Sequence, residues 1–269
     1  MIRLIATDLD GTLLNGQSTV SARTRAALDA ARAAGIRTVP VTARQPIGLR
    51  LIASGAGFDD WALCGNGAYG VHLTTGEHLF AEEIPVPVQQ ELAEALGAVI
   101  PDLVFASVRD AGESFVAQHG YADLADLSDH KRDPATMGGV PLESVLDAPS
   151  LKLVIRHPSV PIPEIFAALQ SLGLTGFEAT LSGAPFVEVM AEGVTKATGV
   201  AQLCTRLGID RSEVIAFGDA LNDLELLRWA GRGVAMANAE PAVREAADEH
   251  APSNVDDGVA VVIERMLAD

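Results

Sequence analysis

A strand–helix–strand pattern at the start of the chain constrains the fold more than any other feature. The apolar run 2–7 predicts a strand, a helix follows that Ser21 caps and Gly35 ends, and the β-branched run 36–41 predicts a second strand. The C-terminal part repeats this alternation, with predicted elements over 194–207 (helix), 214–217 (strand), 222–230 (helix) and 233–236 (strand). Such alternation is typical of a parallel sheet. We therefore expect an α/β fold with a doubly wound, mainly parallel, Rossmann-like core sheet.

The middle of the chain has a different pattern. From Pro85 onward the predicted helices and strands no longer alternate, which favours an inserted α+β domain with a partly antiparallel sheet. The run Gly183-Ala184-Pro185 is the expected return hinge. We therefore predict a catalytic core over 1–84 and 187–269 and an inserted cap domain over 85–186.

Charge and length limit the possible partners. The chain has 269 residues, enough for one large or two modest domains, and a formal net charge of −17. Such a charge repels nucleic acid and anionic membranes, so a small anionic substrate needs local cations or a bound metal. Two distant cysteines and a short N-terminal apolar run predict a cytoplasmic protein without a disulfide framework, a signal peptide or a membrane span.

Acidic residues follow the first predicted strand. Asp8 and Asp10 lie two positions apart, and in an extended segment such residues point the same way. Ligands bind at the carboxyl edge of parallel sheets, where paired carboxylates suit a hard cation such as Mg²⁺. An aspartate there can attack phosphorus, and its neighbour can transfer a proton. The alternative is that Asp-x-Asp simply ends a strand in solvent.

A second acidic cluster follows the strand predicted over 214–217. Asp219 lies at the end of that strand, and Asn222 and Asp223 are placed where they could orient metal-bound water. Asp219 or Asn222 could instead cap the next helix. One residue can serve both purposes, so capping does not exclude a role beside a metal.

Two further segments offer contacts for a phosphate. Thr42 ends the strand 36–41, and its hydroxyl and the next backbone amides could hold a phosphate oxygen, especially if a helix begins near Pro46. Lys196 lies near a helix start, where the helix dipole disfavours a cation, so its position suggests a bound anion. A strand-ending threonine and a solvated lysine are the ordinary explanations of these two residues.

Together and in this order, the four pieces resemble the motifs of the haloacid dehalogenase superfamily, specifically its Cof-type (subclass IIB) sugar-phosphate phosphatases with an α/β cap. Asp8–Leu14 resembles the first motif in full, Thr42 falls at the second, Lys196 at the third and Gly218–Asp223 at the fourth. The resemblance extends to 65–68, 233–239 and 253–259.

The resemblance implies a role for each matching residue. Asp8 would be the nucleophile that forms an aspartyl-phosphate, Asp10 the general acid and base, and Thr42 and Lys196 ligands of the phosphoryl group. The implied phosphate-binding set also includes Leu9, Ala43, Arg44 and Asn222.

The resemblance also implies Mg²⁺ as the cofactor. The ion would be held by the carboxylate of Asp8, the main-chain carbonyl of Asp10 and Asp219, with Asn222 and Asp223 in a supporting position. The expected activity is Mg²⁺-dependent hydrolysis of small phosphorylated metabolites, sugar phosphates above all, with the insert acting as a lid that selects the leaving group.

The chain departs from the family at four positions where glycine is frequent, which are occupied by Ala43, Ala197, Ala220 and Ala237. Alanine enters positive-φ conformations less readily than glycine, so a required positive φ there would alter the phosphate site. Three alternatives to a phosphatase stay open: a phosphomutase on the same core, a phospho-receiver domain and a non-catalytic sensor of phosphate ligands. Candidate substrate contacts in the insert, most of them expected to be solvated, are Arg109, Lys131, Arg132, Lys152 and Arg156.

Overall fold

The secondary structure is taken from a computed structural model that describes residues 1–130 and 132–268. Its strands are β1 (Leu4–Thr7), β2 (Arg37–Pro40), β3 (Trp61–Cys64), β4 (Tyr69–His72), β5 (His78–Ala81), β6 (Val104–Arg109), β7 (Ser114–Ala117), β8 (Lys152–Arg156), β9 (Phe177–Thr180), β10 (Val187–Ala191), β11 (Val214–Gly218), β12 (Arg232–Met236) and β13 (Glu249–Ala251). Its α-helices are α1 (Ala22–Ala33), α2 (Pro46–Ala56), α3 (Val86–Val99), α4 (Leu127–His130), α5 (Leu142–Val145), α6 (Ile162–Ser171), α7 (Lys196–Leu207), α8 (Leu224–Trp229), α9 (Pro241–Ala246) and α10 (Gly258–Ala268). Within these described residues, no helix combines the length and apolar character that crossing a membrane requires.

The first of two structural units contains residues 1–43, 49–80 and the chain from 195 onward. Its main sheet has the order β13-β12-β11-β1-β2, and all of its strand pairs are parallel. Leu4 pairs with Val214 on one side and with Arg37 on the other, and every residue of β1 is buried. A parallel bridge between Val41 and Leu63 leads into the β3-β4-β5 sheet, in which β3 and β4 pair antiparallel. The predicted doubly wound parallel core is confirmed.

Local sequence sets the ends of the helices in this unit. The Ser21 hydroxyl accepts a hydrogen bond from the Thr24 N–H (3.0 Å) and thereby caps α1, as predicted. Thr195 and Thr198 form a reciprocal cap at the start of α7. Gly208 ends α7 with φ +62°, a left-handed conformation that glycine adopts without steric cost.

The second unit contains residues 44–48 and 81–194. Its sheet has the order β7-β6-β8-β10-β9, and all four strand pairings are antiparallel. One face packs on α3 and α6 through a buried apolar core that includes Phe105 and Ile155. The structure differs from the expected boundary at 186, because β10 pairs with β8 and β9 and keeps the chain in this unit up to Val194.

Two of the cations proposed as substrate contacts are buried in this unit. Lys152 lies 2.5 Å from Glu188, and Arg156 lies 2.8 Å from Asp129, with each of these side chains at most 7% exposed. The expectation that most of these cations are solvated therefore fails for these two, because each neutralises a carboxylate within the fold. The guanidinium of Arg109 pairs with Asp147 and that of Arg132 donates to the Gly112 carbonyl, while Lys131 lies outside the described residues.

Candidate active site

The acidic segments meet at the carboxyl edge of the parallel sheet. β1 and β11 are neighbours, so Asp8 and Asp219, which follow them, lie side by side. The Asp8 N–H donates to the Phe217 carbonyl (3.0 Å), which continues the pairing one residue past β1. This is also the point at which the strand order reverses, where doubly wound sheets form their binding crevice.

The segment after Asp8 is not extended. Leu9–Leu13 forms a turn that is interrupted by non-helical backbone angles at Asp10 (φ −78°, ψ 120°) and Gly11 (φ +81°). Asp8 is 6% exposed, whereas Asp10 is exposed. The expectation that the two carboxylates project from one extended segment is therefore wrong. The charge of Asp10 nevertheless acts on the cluster, since it contributes to raising the pKa of Asp8 and that of Asp219.

A buried ammonium group joins two of the acidic segments. The Nζ of Lys196, the first residue of α7, donates to Asp8 Oδ1 and to Asp223 Oδ1, both at 2.6 Å. The Lys196 side chain is fully buried. Burial alone lowers the pKa of Lys196, but the charges of Asp223 and Asp8 outweigh it and raise the pKa above its ordinary value. The anions beside this lysine are thus carboxylates of the protein.

Three carboxylates share this site. Among the described residues, ligand oxygens of Asp8, Asp219 and Asp223 all lie within 4.8 Å of one another. Burial raises the pKa of Asp8 well above its usual range although Lys196 opposes the shift, and burial is also the main reason that the pKa of Asp219 rises to about 6. The site therefore holds more negative charge than it can stabilise by itself.

Hydrogen bonds assign different tasks to these carboxylates. Asp223 Oδ1 accepts from Lys196, and its Oδ2 accepts from the N–H groups of Asp219 (2.9 Å) and Ala220 (3.1 Å). Asp219 Oδ1 accepts from the Thr12 hydroxyl at 2.6 Å. Asp223 thus orients the loop that carries Asp219, whereas Asp8 and Asp219 have the capacity to accept a further ligand.

The donor set fits a hard divalent cation. Three carboxylates face one ammonium group, and carboxylate oxygens are the ligands that Mg²⁺ prefers. A Cβ added at Gly11 would lie 2.2 Å from Asp219 Oδ2, so only glycine lets the backbone approach this carboxylate. These residues suit a hard divalent cation such as Mg²⁺ on charge and on ligand chemistry.

A turn between β3 and β4 contacts the remaining predicted segments. The Asn66 N–H donates to the Thr42 carbonyl (2.9 Å), and Asn66 Oδ1 accepts from Asn222 Nδ2 (2.9 Å). Asn66 is 1% exposed and has φ +59°. The sequence offered this run as part of the family resemblance over 65–68 and gave no partner for Asn66 or for Thr12.

The other predicted phosphate contacts are spread over both units. Thr42 is buried next to β2, and Leu9 is fully buried. Ala43 is half-buried at the end of a segment of the first unit. Arg44 belongs to the second unit, where its guanidinium donates to the Gly48 carbonyl (3.3 Å). The helix expected near Pro46 is α2, which begins at that residue.

The alanines that replace family glycines fit their backbone. Among the described residues, the non-glycine positions with positive φ do not include Ala43, Ala197, Ala220 or Ala237. Ala220, for example, has φ −111°. Alanine therefore adds no backbone strain at these four positions.

Comparisons with known proteins agree with this geometry. A family model of haloacid dehalogenase-like hydrolases matches residues 5–263. YxeH of Bacillus subtilis (strain 168) is 32% identical over 285 residues, covering 99% of each chain. The 5-amino-6-(5-phospho-D-ribitylamino)uracil phosphatase YbjI of Escherichia coli (strain K12) is 31% identical over 273 residues, covering 99% of this chain and 96% of YbjI.

A solved structure also aligns with the whole chain. BT1666 from Bacteroides thetaiotaomicron, described among phosphatases of the haloalkanoate enzyme superfamily, aligns with a TM-score of 0.83 and 26% identity. The alignment covers 98% of this chain and 95% of BT1666. Both structural units, including the inserted one, therefore have counterparts in a known fold.

Proposed function

The chain belongs to the haloacid dehalogenase-like hydrolases, and from this premise we propose that it is a Mg²⁺-dependent phosphatase of small phosphorylated metabolites. The observation that carries the proposal is the buried contact of Lys196 Nζ with Asp8 and Asp223, 2.6 Å from each. Phosphoryl transfer to an aspartate requires positioned groups and neutralisation of charge. The site offers a carboxylate nucleophile, a fixed cation and an excess of negative charge that suits a metal.

Asp8 is the nucleophile in this proposal. Its carboxylate oxygen forms a bond to phosphorus while the bond from phosphorus to the ester oxygen breaks, which yields an aspartyl-phosphate and an alcohol. Lys196 holds Asp8 in place and supplies positive charge to the phosphoryl group. Asp8, the Asp10 main-chain carbonyl and Asp219 would hold Mg²⁺, which would supply further charge neutralisation.

Asp10 transfers the protons. It donates a proton to the leaving alcohol oxygen, and afterwards it accepts one from the water that attacks the phosphorus of the intermediate. That second attack breaks the bond to Asp8 and releases inorganic phosphate. Its exposed position gives Asp10 access to water, and the buried position of Asp8 limits competing reactions of the nucleophile.

The remaining predicted residues bind the phosphoryl group. In the proposal, Thr42 contributes its hydroxyl and Asn222 its carboxamide, while Leu9, Ala43 and Arg44 contribute backbone amides. The second unit, over 81–194, would select the leaving group. The name of YbjI, a phosphatase of a phosphorylated ribityl compound, supports sugar phosphates and similar monoesters as the substrate class.

A panel of phosphomonoesters tests the proposal. Purified protein should release inorganic phosphate from sugar phosphates with Mg²⁺ and should lose this activity when EDTA removes the metal. Accumulation of an isomeric phosphate ester without free phosphate would instead identify a phosphomutase. Absence of turnover across the panel would contradict both and leave a binding protein.

A further inference from the structure

The turn Gly65–Gly67, which joins β3 to β4, contacts all three segments that carry the proposed phosphate-binding side chains of the first unit. Through Asn66 it bonds to the Thr42 carbonyl and to Asn222, each at 2.9 Å. A Cβ on Gly67 would lie 2.3 Å from the carbonyl oxygen of Thr195, the residue before Lys196. The proposed mechanism assigns no task to this turn.

Backbone conformation alone does not explain the asparagine. The turn between β6 and β7 in the second unit has nearly the same geometry: Ala111 has φ +55° and ψ +26°, against φ +59° and ψ +30° for Asn66. The following glycines, Gly112 and Gly67, have φ +88° and +92°. Since alanine occupies the matching position, the carboxamide of Asn66 serves something other than the turn.

The Asn66 carboxamide fixes the orientation of the Asn222 carboxamide. Asn66 Oδ1 can only accept, so Asn222 must present its Nδ2 to it. The other end of the Asn222 amide, Oδ1, is buried and accepts no hydrogen bond from the part of the chain that the structure describes. Without Asn66, the Asn222 amide could turn over and exchange its oxygen and nitrogen.

We infer that Asn66 is a positioning residue, which holds the Asn222 carboxamide in the orientation that binds the phosphoryl group. The inference rests on the proposed function, because it takes the role of Asn222 from there. Asn66 itself contacts the Thr42 and Asn222 segments and acts on the substrate through Asn222.

A double-mutant cycle tests the inference. Asn66→Gly removes the carboxamide and keeps a residue that accepts the left-handed backbone. We expect it to lower kcat/KM for a sugar phosphate with Mg²⁺ by about 10- to 100-fold, the range for residues that orient ligands. In an Asn222→Ala background the same change should have almost no further effect. An equal loss in both backgrounds, or no loss in the wild type, would overturn the inference.

A matched control distinguishes loss of the Asn66–Asn222 hydrogen bond from the general loosening that a glycine causes in such a turn. Ala111→Gly makes the same kind of change at the matching position and should keep kcat/KM close to that of the wild type. A loss as large as that of Asn66→Gly would count against the inference. If Asn66→Gly does not fold, Asn66→Ala replaces it, because position 111 shows that alanine fits these backbone angles.

Nuclear magnetic resonance gives a readout that needs no activity. The Nδ2 hydrogens of Asn222 are assigned in the ¹⁵N spectrum by their absence in Asn222→Ala. This signal should move in Asn66→Gly and stay in place in Ala111→Gly; an unmoved signal in Asn66→Gly would overturn the inference. If the wild type hydrolyses no phosphomonoester, the proposed function fails, and this spectrum still decides whether Asn66 orients Asn222.

Discussion

Lys196 balances the charge of the site at the scale of a single residue. Its ammonium group is the partner of two buried carboxylates, Asp8 and Asp223. Removing one member of a buried ionic group costs more than the group contributes as a whole, because the charges left behind are uncompensated. The same lysine therefore matters for folding as well as for the proposed chemistry.

Lys196→Met should lower the free energy of unfolding at neutral pH by about 3 to 5 kcal/mol. Urea denaturation measures this loss. Arg206→Met on the same helix is the control, because Arg206 pairs with Glu77 in solvent and such pairs contribute little. A Lys196→Met protein as stable as the wild type would show that the buried contact with Asp8 and Asp223 does not contribute to the free energy of unfolding.

His130 is a residue of the second unit that stays neutral. It stacks on Phe186, with ring centroids 4.7 Å apart, and its Nε2 lies 2.8 Å from the Tyr121 hydroxyl. Burial, followed by the charges of Lys152 and Arg156, lowers the pKa of His130 to about 3. In mildly acidic solution the His130 ring is therefore neutral in the folded protein but protonated in the unfolded chain.

This shift predicts acid sensitivity. The unfolded histidine gains its proton below about pH 6.5 and the folded one only near pH 3, so stability is present above this window and is lost as the pH falls through it. Between about pH 7 and pH 5 the loss from His130 should be about 2 kcal/mol. Urea denaturation of His130→Gln should show a smaller difference between these two pH values. The same difference in the wild type and in His130→Gln would contradict the assignment.

At the scale of elements, a close approach of two backbones sets the position of α7. Gly67 lies against the Thr195 carbonyl, and a Cβ added at Gly199 would lie 2.9 Å from the Cα of Gly67. The helix start that carries Lys196 is thus held by the β3–β4 turn. Glycine is needed at position 67 for its φ of +92° and for this contact.

Gly67→Ala should therefore cost about 2 to 4 kcal/mol of unfolding free energy, from a left-handed alanine and a backbone clash together. Gly76→Ala is the matched control, since Gly76 has φ +72° but no atom within 4 Å of an added Cβ. It should cost only about 1 to 2 kcal/mol. Thermal or urea unfolding compares the two, and equal losses would mean that the approach to Thr195 is not a constraint.

Local patterns predicted most elements, and distant contacts account for the errors. The predicted helix 194–207 matches α7 to within two residues and the predicted strand 214–217 matches β11 to within one, because periodicity and caps are local. Gly11 indicates the turn after Asp8, but no local pattern indicates the contacts that hold it. Its carbonyls at Gly11 and Leu14 accept from Asn238 and Asn254, side chains more than 220 positions away in sequence.

The sequence predicts which strand ends form the site, but it does not predict which side chains contact each other there. Four motifs indicated which segments meet, since parallel strands end at one edge of a sheet. The pairing of Lys196 with Asp8, 188 positions apart, and the contact of Asn66 with Asn222 depend on packing that no local pattern encodes. The roles assigned to these residues stay predictions.

At the scale of the whole molecule, a net charge of −17 makes a metal the natural counterion of the site. Mg²⁺ binding should raise the unfolding temperature, with a gain of about 2.7 kcal/mol at a hundred times its Kd. Asp219→Asn should abolish the gain, and Na⁺ at equal ionic strength should not produce it in the wild type. Equal Mg²⁺ stabilisation of the wild type and of Asp219→Asn would contradict the assignment.

The affinity for Mg²⁺ should fall as the pH drops through about 6, where the Asp219 carboxylate takes up a proton. Calorimetric titration with Mg²⁺ on either side of this pH measures the affinity.

The central claim is that Asp8 carries the phosphoryl group during turnover. Acid quenching of the enzyme while it hydrolyses a sugar phosphate, followed by mass spectrometry of the peptide that contains residue 8, measures this directly. We expect that peptide to gain the mass of one phosphoryl group in the wild type and to stay unmodified in Asp8→Asn, which should have no measurable turnover. Undiminished phosphate release by Asp8→Asn, or a phosphoryl group found on another residue, would contradict the account.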